Sequence, residues 1–345
     1  YSLMKQKLEE AKINEASQLG KIRVVDNAVP DYIPIKPNKK LYLLFSIIIG
    51  LVSGIGIIGI IEIFDNTIKS VEQIERRGFA LLAVIPSIGK EKIQRKTKKY
   101  IDSTNSDKLE RRLITHEDPK SPISEAYRSL RTSLMYSKTD NNQCRVILVS
   151  SSGPGEGKTT TIANLAITYA NLGKKVILID SDLRKPVIHK IFKIDKSPGI
   201  TSFLSENKND ISKIINSTNV NNLDVLSSGV TPPNPSELLD SSRFRDLLEN
   251  LKQKYDVILF DTPPLIAVTD AFILMKHISN FVLVVRAGVT QKLALDRVVT
   301  NLNQAGFKET GIVLNDLKES HSYGAGYYYN YYQYYYAENS SHDKK

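Results

Sequence analysis

The rhythm of hydrophobic and polar positions changes three times along the chain. Residues 1–20 are mixed and read as the end of an amphipathic helix closed by Gly20. A strand-like run, Ile22–Val25, and a proline-punctuated connector from Pro30 to Pro37 follow. Then comes LYLLFSIIIGLVSGIGIIGII, 21 residues from Leu41 to Ile61 without a charge. As a helix rising ~1.5 Å per residue this run covers roughly 30 Å, the thickness of a bilayer hydrocarbon core. A soluble helix of that length carries a polar stripe and this one has none, so a membrane span over 41–64 is expected. Gly50 and Gly54 form a small-xxx-small pair that suits close helix approach.

Past the span, Asp65 to Pro86 reads as partly helical, and Lys90–Arg112 holds nine Lys/Arg against four Asp/Glu, a net of +5. A solvated linker and a juxtamembrane stretch attracted to anionic lipid both fit that charge. No aromatic interleaving or binding motif accompanies it, so nucleic acid is not an expected partner. From about residue 121, short apolar runs alternate with helical patterns. The runs are Arg145–Val149, Val176–Ile179, Leu223–Leu226, Val257–Phe260, Phe281–Val285 and Ile312–Leu314; the helical patterns include Thr160–Asn171, Ser236–Leu251 and Lys292–Gln304. Strands apolar on both faces and spaced by helices predict an α/β fold, a parallel sheet with helices on both faces.

Composition sharpens this picture at three points. Of the formal net charge of +10, half resides in the one basic stretch after the span, which makes a membrane surface the better partner. The single cysteine, Cys144, excludes an internal disulfide and a cysteine zinc site and suits a reducing compartment. There is no Trp, yet nine of the 17 tyrosines fall in one tail: Tyr323, Tyr327, Tyr328, Tyr329, Tyr331, Tyr332, Tyr334, Tyr335 and Tyr336. With almost no aliphatic neighbours these cannot build a core, and the tail is expected to be mobile. The chain opens on Tyr1 rather than Met and shows no secretory signal, as a fragment or processed form would.

The chemistry gathers where strands end. The first strand of the alternating region runs into Ser152, Gly153, Pro154, Gly155, Glu156, Gly157, Lys158, Thr159 and Thr160, and a helix follows. This is a phosphate loop in the context its chemistry requires: glycines let backbone N–H groups close around phosphate oxygens, Lys158 reaches the β- and γ-phosphates, and Thr159 offers a hydroxyl to Mg²⁺. The strict pattern has Gly where this chain has Ser152. Two further strands end in Asp180-Ser181-Asp182-Leu183-Arg184 and in Asp261-Thr262-Pro263-Pro264. In a doubly wound sheet these ends line one edge, so Asp180, Asp182 and Asp261 are expected to converge on the loop. Arg184 could neutralise phosphate charge or pair with an acidic neighbour.

The motifs PGEGKTT, ILIDSDLR and VILFDTPP together resemble those of the bacterial tyrosine autokinases (BY-kinases) of capsule and exopolysaccharide export. Glu125-Ala126-Tyr127-Arg128-Ser129-Leu130-Arg131 is similar to that family's E-x-x-R-x-x-R helix, Pro232–Leu239 to its PPNP-x-ELL segment, and residues 1–64 to the end of a polysaccharide co-polymerase domain with its second membrane span. The resemblance implies the following organisation: 1–40, end of an extracytoplasmic co-polymerase domain with its proline-rich segment; 41–64, transmembrane helix; 65–120, basic juxtamembrane linker; 121–320, P-loop NTPase-like kinase domain; 321–345, tyrosine-rich tail. It also implies ATP and Mg²⁺ as cofactors, with Lys158 on the triphosphate and Thr159, Asp182 and Asp261 ordering the metal. Asp180 is the candidate base for the tyrosine proton, Asn315 a candidate contact for adenine, and the nine tail tyrosines the phosphoacceptors. Glu125, Arg128 and Arg131 would mediate a ring-like homo-oligomer. The implied partners are the cytoplasmic membrane, a tyrosine phosphatase and the polysaccharide polymerisation and export machinery. Lys/Arg counts flanking the span do not decide orientation; a site for ATP places its C-terminal side in the cytoplasm. Two alternatives remain at this point: a MinD/ParA-type positioning ATPase, whose usual second lysine is replaced here by Gly153, and a non-catalytic chain-length co-polymerase.

Overall fold

The computed structural model describes residues 1–19, 36–87, 113–136, 144–205, 210–307 and 310–317. The chain divides into two compact units, Tyr1–Asp65 and Asn66–Lys345. The expected strand Ile22–Val25, most of the proline connector, the basic stretch from Lys90 to Arg112 and the whole tyrosine cluster lie outside the described residues.

The first unit holds two helices, α1 (Ser2–Leu19) and α2 (Lys39–Phe64). Contrary to expectation, α1 is not amphipathic: its polar and apolar residues are spread around the axis. Helix α2 covers the predicted span and extends it by two lysines. With 26 residues, a mean hydropathy of 2.6 and no buried position, it is long and apolar enough to cross a membrane. An apolar surface exposed on every side is the pattern of a lipid-facing helix.

The second unit is built on one eight-stranded sheet. Its strands are β1 (Ala80–Pro86), β2 (Arg145–Ser151), β3 (Val176–Asp180), β4 (Ile215–Ser217), β5 (Leu223–Leu226), β6 (Val257–Asp261), β7 (Asn280–Arg286) and β8 (Thr310–Leu317). They lie in the order β1-β8-β7-β2-β6-β3-β5-β4, parallel throughout except for the antiparallel pair β4 and β5. The helices used below are α3 (Val71–Glu75), α4 (Pro122–Tyr136), α5 (Lys158–Ala170), α6 (Pro235–Leu239), α7 (Ser242–Lys254) and α8 (Lys292–Gln304).

Strand periodicity explains the layering. Val146 and Leu148 of β2 face one side with Ile258 and Phe260 of β6, where Phe244, Leu247 and Leu251 of α7 and Leu295, Val298 and Leu302 of α8 cover them. Ile147 and Val149 face the other side with Leu259 and Val282, under Leu130 and Leu134 of α4 and Ile162 and Leu165 of α5. Each fully buried aliphatic or aromatic side chain contributes roughly 1.5–3 kcal/mol, so the central strands anchor the unit.

Two boundaries differ from those read in the sequence. Residues 66–87, expected to belong to a linker, contribute α3 and the edge strand β1, which pairs in parallel with β8. ALLAVIP is a short apolar run that periodicity cannot separate from a helix, and its partner lies far away in sequence. The helix expected over Ser236–Leu251 is two helices, α6 and α7, parted at Asp240 and Ser241. The Ser241 hydroxyl accepts the Phe244 N–H at 3.2 Å and caps α7.

The topology fixes where a ligand binds. After β2 the chain turns toward β3, whereas after β6 it crosses β2 to reach β7. That divergence opens a crevice at the carboxyl ends of the central strands.

Candidate active site

The phosphate loop leaves β2 at Ser151 and enters α5 at Lys158. Gly155 (φ +76°) and Gly157 (φ +100°) adopt the left-handed backbone that L-residues avoid. Gly157 has a second constraint: a Cβ there would collide with Asn315 Nδ2. A Gly157→Ala variant is therefore expected to lose ATP affinity by about tenfold, because an L-residue is strained at this φ and the Asn315 amide that holds the Glu156 carbonyl must give way, so the loop N–H groups lose their aim. Titration with a fluorescent ATP analogue measures this, and unchanged affinity would show that the loop tolerates the shift.

Strand register brings the acidic residues together. Asp180 is the direct neighbour of Asp261 across β3 and β6, and Asp261 is the neighbour of Val149 on β2. Lys158 Nζ sits 3.0 Å from Asp182 and 3.5 Å from Asp261. The Thr159 hydroxyl donates to Asp261 at 2.8 Å, and Lys158 also reaches that hydroxyl at 3.2 Å. Of the three carboxylates expected to converge on the loop, Asp182 and Asp261 reach Lys158 or Thr159 directly and Asp180 stands beside Asp261. Burial works against the Lys158 charge, but Asp261 and Asp182 outweigh it and hold the ammonium above its ordinary value. Burial raises Asp261 despite the adjacent ammonium.

Asp180 differs from its neighbours. One carboxylate oxygen accepts the Val187 and Ile188 N–H groups at 3.2 and 3.1 Å. The other is buried and has no hydrogen-bond partner among the described residues. Burial first, and the nearby Asp261 second, push this carboxyl from 3.8 up to about 8.

These residues suit a nucleotide with Mg²⁺. The buried Ser152 hydroxyl and the free Asp180 oxygen lack partners among the described residues, as expected of groups arranged for a ligand. No set of three His, Cys, Asp or Glu side chains among the described residues encloses a metal alone. Mg²⁺ does not need one, since a hydroxyl and one or two carboxylates suffice when phosphate and water complete the octahedron. Above the loop lies a cleft of about 490 Å³, walled by Ile85, Pro86, Ile123, Tyr127, Asn164 and Pro264 among others.

The remaining expected residues fall in different places. Asn315 lines the cleft and donates through Nδ2 to the Glu156 carbonyl at 2.9 Å. Arg184 pairs with the fully buried Asp270 at 2.9 and 3.3 Å, the acidic-neighbour alternative. Ser236 of α6 donates to the same carboxylate, joining the PPNP segment to it. Glu125 and Arg128 pair on α4, Arg128 also reaches the Pro119 carbonyl at 2.6 Å, and Arg131 holds the Thr168 carbonyl of α5 at 2.7 Å. All three therefore have partners within the chain. Arg286, Thr290 and Asp316 contact the phosphate loop or one another and were not singled out in the sequence. Arg286, the first polar residue after a buried apolar strand, carries the same signal as Asp180 and Asp261.

A glycine loop at the end of a central parallel strand, its lysine held by carboxylates from neighbouring strand ends, defines a P-loop nucleotide-binding domain. Residues 144–304 match the AAA domain family, and residues 1–61 match GNVR, a G-rich domain. The tyrosine-protein kinase wzc of Salmonella typhimurium is 34% identical over 345 residues, which cover 99% of this chain and 46% of wzc. The tyrosine-protein kinase YwqD of Bacillus subtilis is 40% identical over 221 residues, covering 64% of this chain and 92% of YwqD. Among solved structures, the kinase domain of the Escherichia coli tyrosine kinase ETK aligns with a TM-score of 0.63 at 30% identity, covering 73% of this chain and 96% of that domain. The chain belongs to the bacterial tyrosine kinase family. It spans just under half the length of relatives such as wzc.

Proposed function

We propose that this protein is an ATP-dependent tyrosine autokinase that phosphorylates the Tyr323–Tyr336 cluster of a neighbouring copy and thereby regulates polysaccharide polymerisation and export. The observation that carries this reading is the division of labour among the carboxylates. Asp182 and Asp261 are engaged with Lys158 and Thr159, while Asp180 beside them keeps a free buried oxygen and a raised proton affinity. The tyrosine kinases named among its relatives support the choice of acceptor.

In this mechanism Lys158 and the loop N–H groups hold the triphosphate and orient its terminal phosphorus toward the cleft. Bound by Thr159 with Asp182 or Asp261, Mg²⁺ would neutralise charge on the phosphate oxygens. A phenol with a pKa near ~10 is a poor nucleophile at neutral pH, so the attacking tyrosine needs a proton acceptor. In its ionised form Asp180 accepts that proton as the oxygen–phosphorus bond forms and ADP leaves, and its raised proton affinity makes that form the stronger base. Asn315 contacts the adenine side of the cleft. Glu125, Arg128 and Arg131 contribute to a ring of copies, exchanging their present partners for a neighbour's. Each phosphate adds about −1.5 to −2 charge, which turns the tail strongly anionic and weakens its hold on the ring. Helix α2 anchors the protein in the bacterial cytoplasmic membrane with the kinase unit in the cytoplasm. A tyrosine phosphatase and the polysaccharide export machinery are its partners.

The test mixes two full-length variants with Mg-ATP. One carries Lys158→Met and all tail tyrosines; the other is otherwise intact with the nine tail tyrosines changed to Phe. Phosphotyrosine mapped by mass spectrometry on the Lys158→Met copy is the expected result. ATP hydrolysis with no phosphotyrosine on either copy would refute it.

A further inference from the structure

The outer limb of the phosphate loop is tied to the ends of β7 and β8 by a closed network. Arg286 Nη1 donates to the Gly155 carbonyl at 3.0 Å. Its Nε and Nη2 donate to one Asp316 oxygen at 2.9 and 2.8 Å. The backbone N–H of Arg286 donates to the Thr290 hydroxyl at 2.9 Å, and that hydroxyl donates to the Glu156 carboxylate at 2.7 Å. Asn315, opposite Arg286 in the β7–β8 register, donates to the Glu156 carbonyl at 2.9 Å.

Two consecutive carbonyls, Gly155 and Glu156, are therefore drawn toward β7 and β8. In a trans peptide the C=O and the next N–H point in opposite directions. Fixing the Gly155 carbonyl thus fixes the Glu156 N–H, and fixing the Glu156 carbonyl fixes the Gly157 N–H. These are N–H groups of the kind that form an anion-binding nest. Asp316 holds Arg286 from a left-handed backbone (φ +59°) that a residue with a Cβ adopts at a cost, and such conformations concentrate at functional sites. Thr290 is almost fully buried, so its hydroxyl has no solvent substitute for either bond.

We propose that Arg286, seated by Asp316, and Thr290 are positioning residues for the nucleotide: they aim loop N–H groups at the phosphates, Arg286 and Asp316 from the wall of the cleft and Thr290 from the buried side. This rests on the reading of the loop as an ATP site, and it extends that reading to residues outside the three motifs. Losing a brace of this kind weakens ground-state and transition-state binding alike, so KM for ATP rises while kcat holds.

The experiment uses the full chain with Arg286→Lys, Asp316→Asn, Thr290→Val, Thr290→Ser and the Arg286→Lys/Thr290→Val double variant. The readouts are affinity for a fluorescent ATP analogue, KM and kcat for phosphotyrosine formation, and thermal unfolding without nucleotide. Thr290→Val, which removes a buried hydrogen bond, should weaken ATP binding about tenfold, and Arg286→Lys, whose bond to the Gly155 carbonyl is exposed, about threefold, each with kcat within about twofold. Thr290→Ser should restore affinity, and the double variant should fall short of the product of the two single effects because they share one network. ATP affinity unchanged in Thr290→Val, whatever happens to its unfolding temperature, would overturn the proposal. Should Arg286→Lys fail to fold, the Thr290→Val and Thr290→Ser pair decides it alone. A parent chain that binds no ATP overturns both this proposal and the nucleotide reading. A parent that binds ATP and responds to the variants but forms no phosphotyrosine refutes only the kinase reading.

Discussion

Replacing Lys158 by methionine should reduce tyrosine phosphorylation by at least about 10²–10³-fold, the usual consequence of removing a preorganised charge from a transferring phosphoryl group. Methionine has a similar length and no charge, so the loop keeps its shape and loses the cation. The geometry predicts a second effect on the protein itself. The Lys158 ammonium lies within 3.5 Å of both Asp182 and Asp261, the latter almost wholly buried. Its removal leaves carboxylates facing one another without a counter-charge, and breaking a buried pair from one side costs about 3–5 kcal/mol. The unfolding temperature of Lys158→Met should therefore fall without ligand, and fall less at low pH, where the carboxylates take up protons. Lys158→Arg should not rescue activity, because a planar guanidinium cannot take the place of a compact ammonium between two carboxylates. Phosphorylation by Lys158→Met within tenfold of the parent would remove Lys158 from the mechanism.

How much of this was legible in the sequence depended on how local each feature is. Strands β2, β3, β5, β6, β7 and β8 were recognisable because a strand buried on both faces must be a continuous apolar run, and α8 because its apolar positions recur at helical spacing. The two missed strands were hidden for different reasons. β1 is apolar, but its membership of the sheet depends on β8, more than 200 residues away, and β4 is a three-residue edge strand with Asn and Ser in it. The site divides the same way. Lys158 and Thr159 are fixed by the loop motif, and the acidic residues by the rule that strand ends line one edge. Arg184 remained open because its partner, Asp270, is 86 residues away. Arg286 carries the strand-end signal, but its bracing with Thr290 and Asp316 exists only once β7 and β8 lie beside β2.

Asp180→Asn should separate function from stability, losing one while gaining the other. Asparagine can present its carbonyl oxygen to the Val187 and Ile188 N–H groups as the carboxylate does. It cannot take a proton from a phenol. Phosphotyrosine formation should therefore fall by about 10²–10⁴-fold, the range for a general base, with ATP affinity changed little. The stability effect follows from the direction of the pKa shift. The carboxyl is raised from 3.8 to about 8 in the folded chain, by burial first and Asp261 second. Below the lower value it is protonated in both states. Between the two values the folded chain retains a proton that the unfolded chain has released, so stability drops as pH rises through that window, by at most about 1.4 kcal/mol per pH unit. Asp180→Asn removes this slope. Without nucleotide and divalent cation, its unfolding temperature should exceed the parent's by a margin that widens from pH 5 to pH 8. A margin that shrinks over that range would mean the folded chain stabilises the Asp180 carboxylate. A carboxylate stabilised in that way would be a weaker base than the mechanism requires, and the proton would have to go elsewhere.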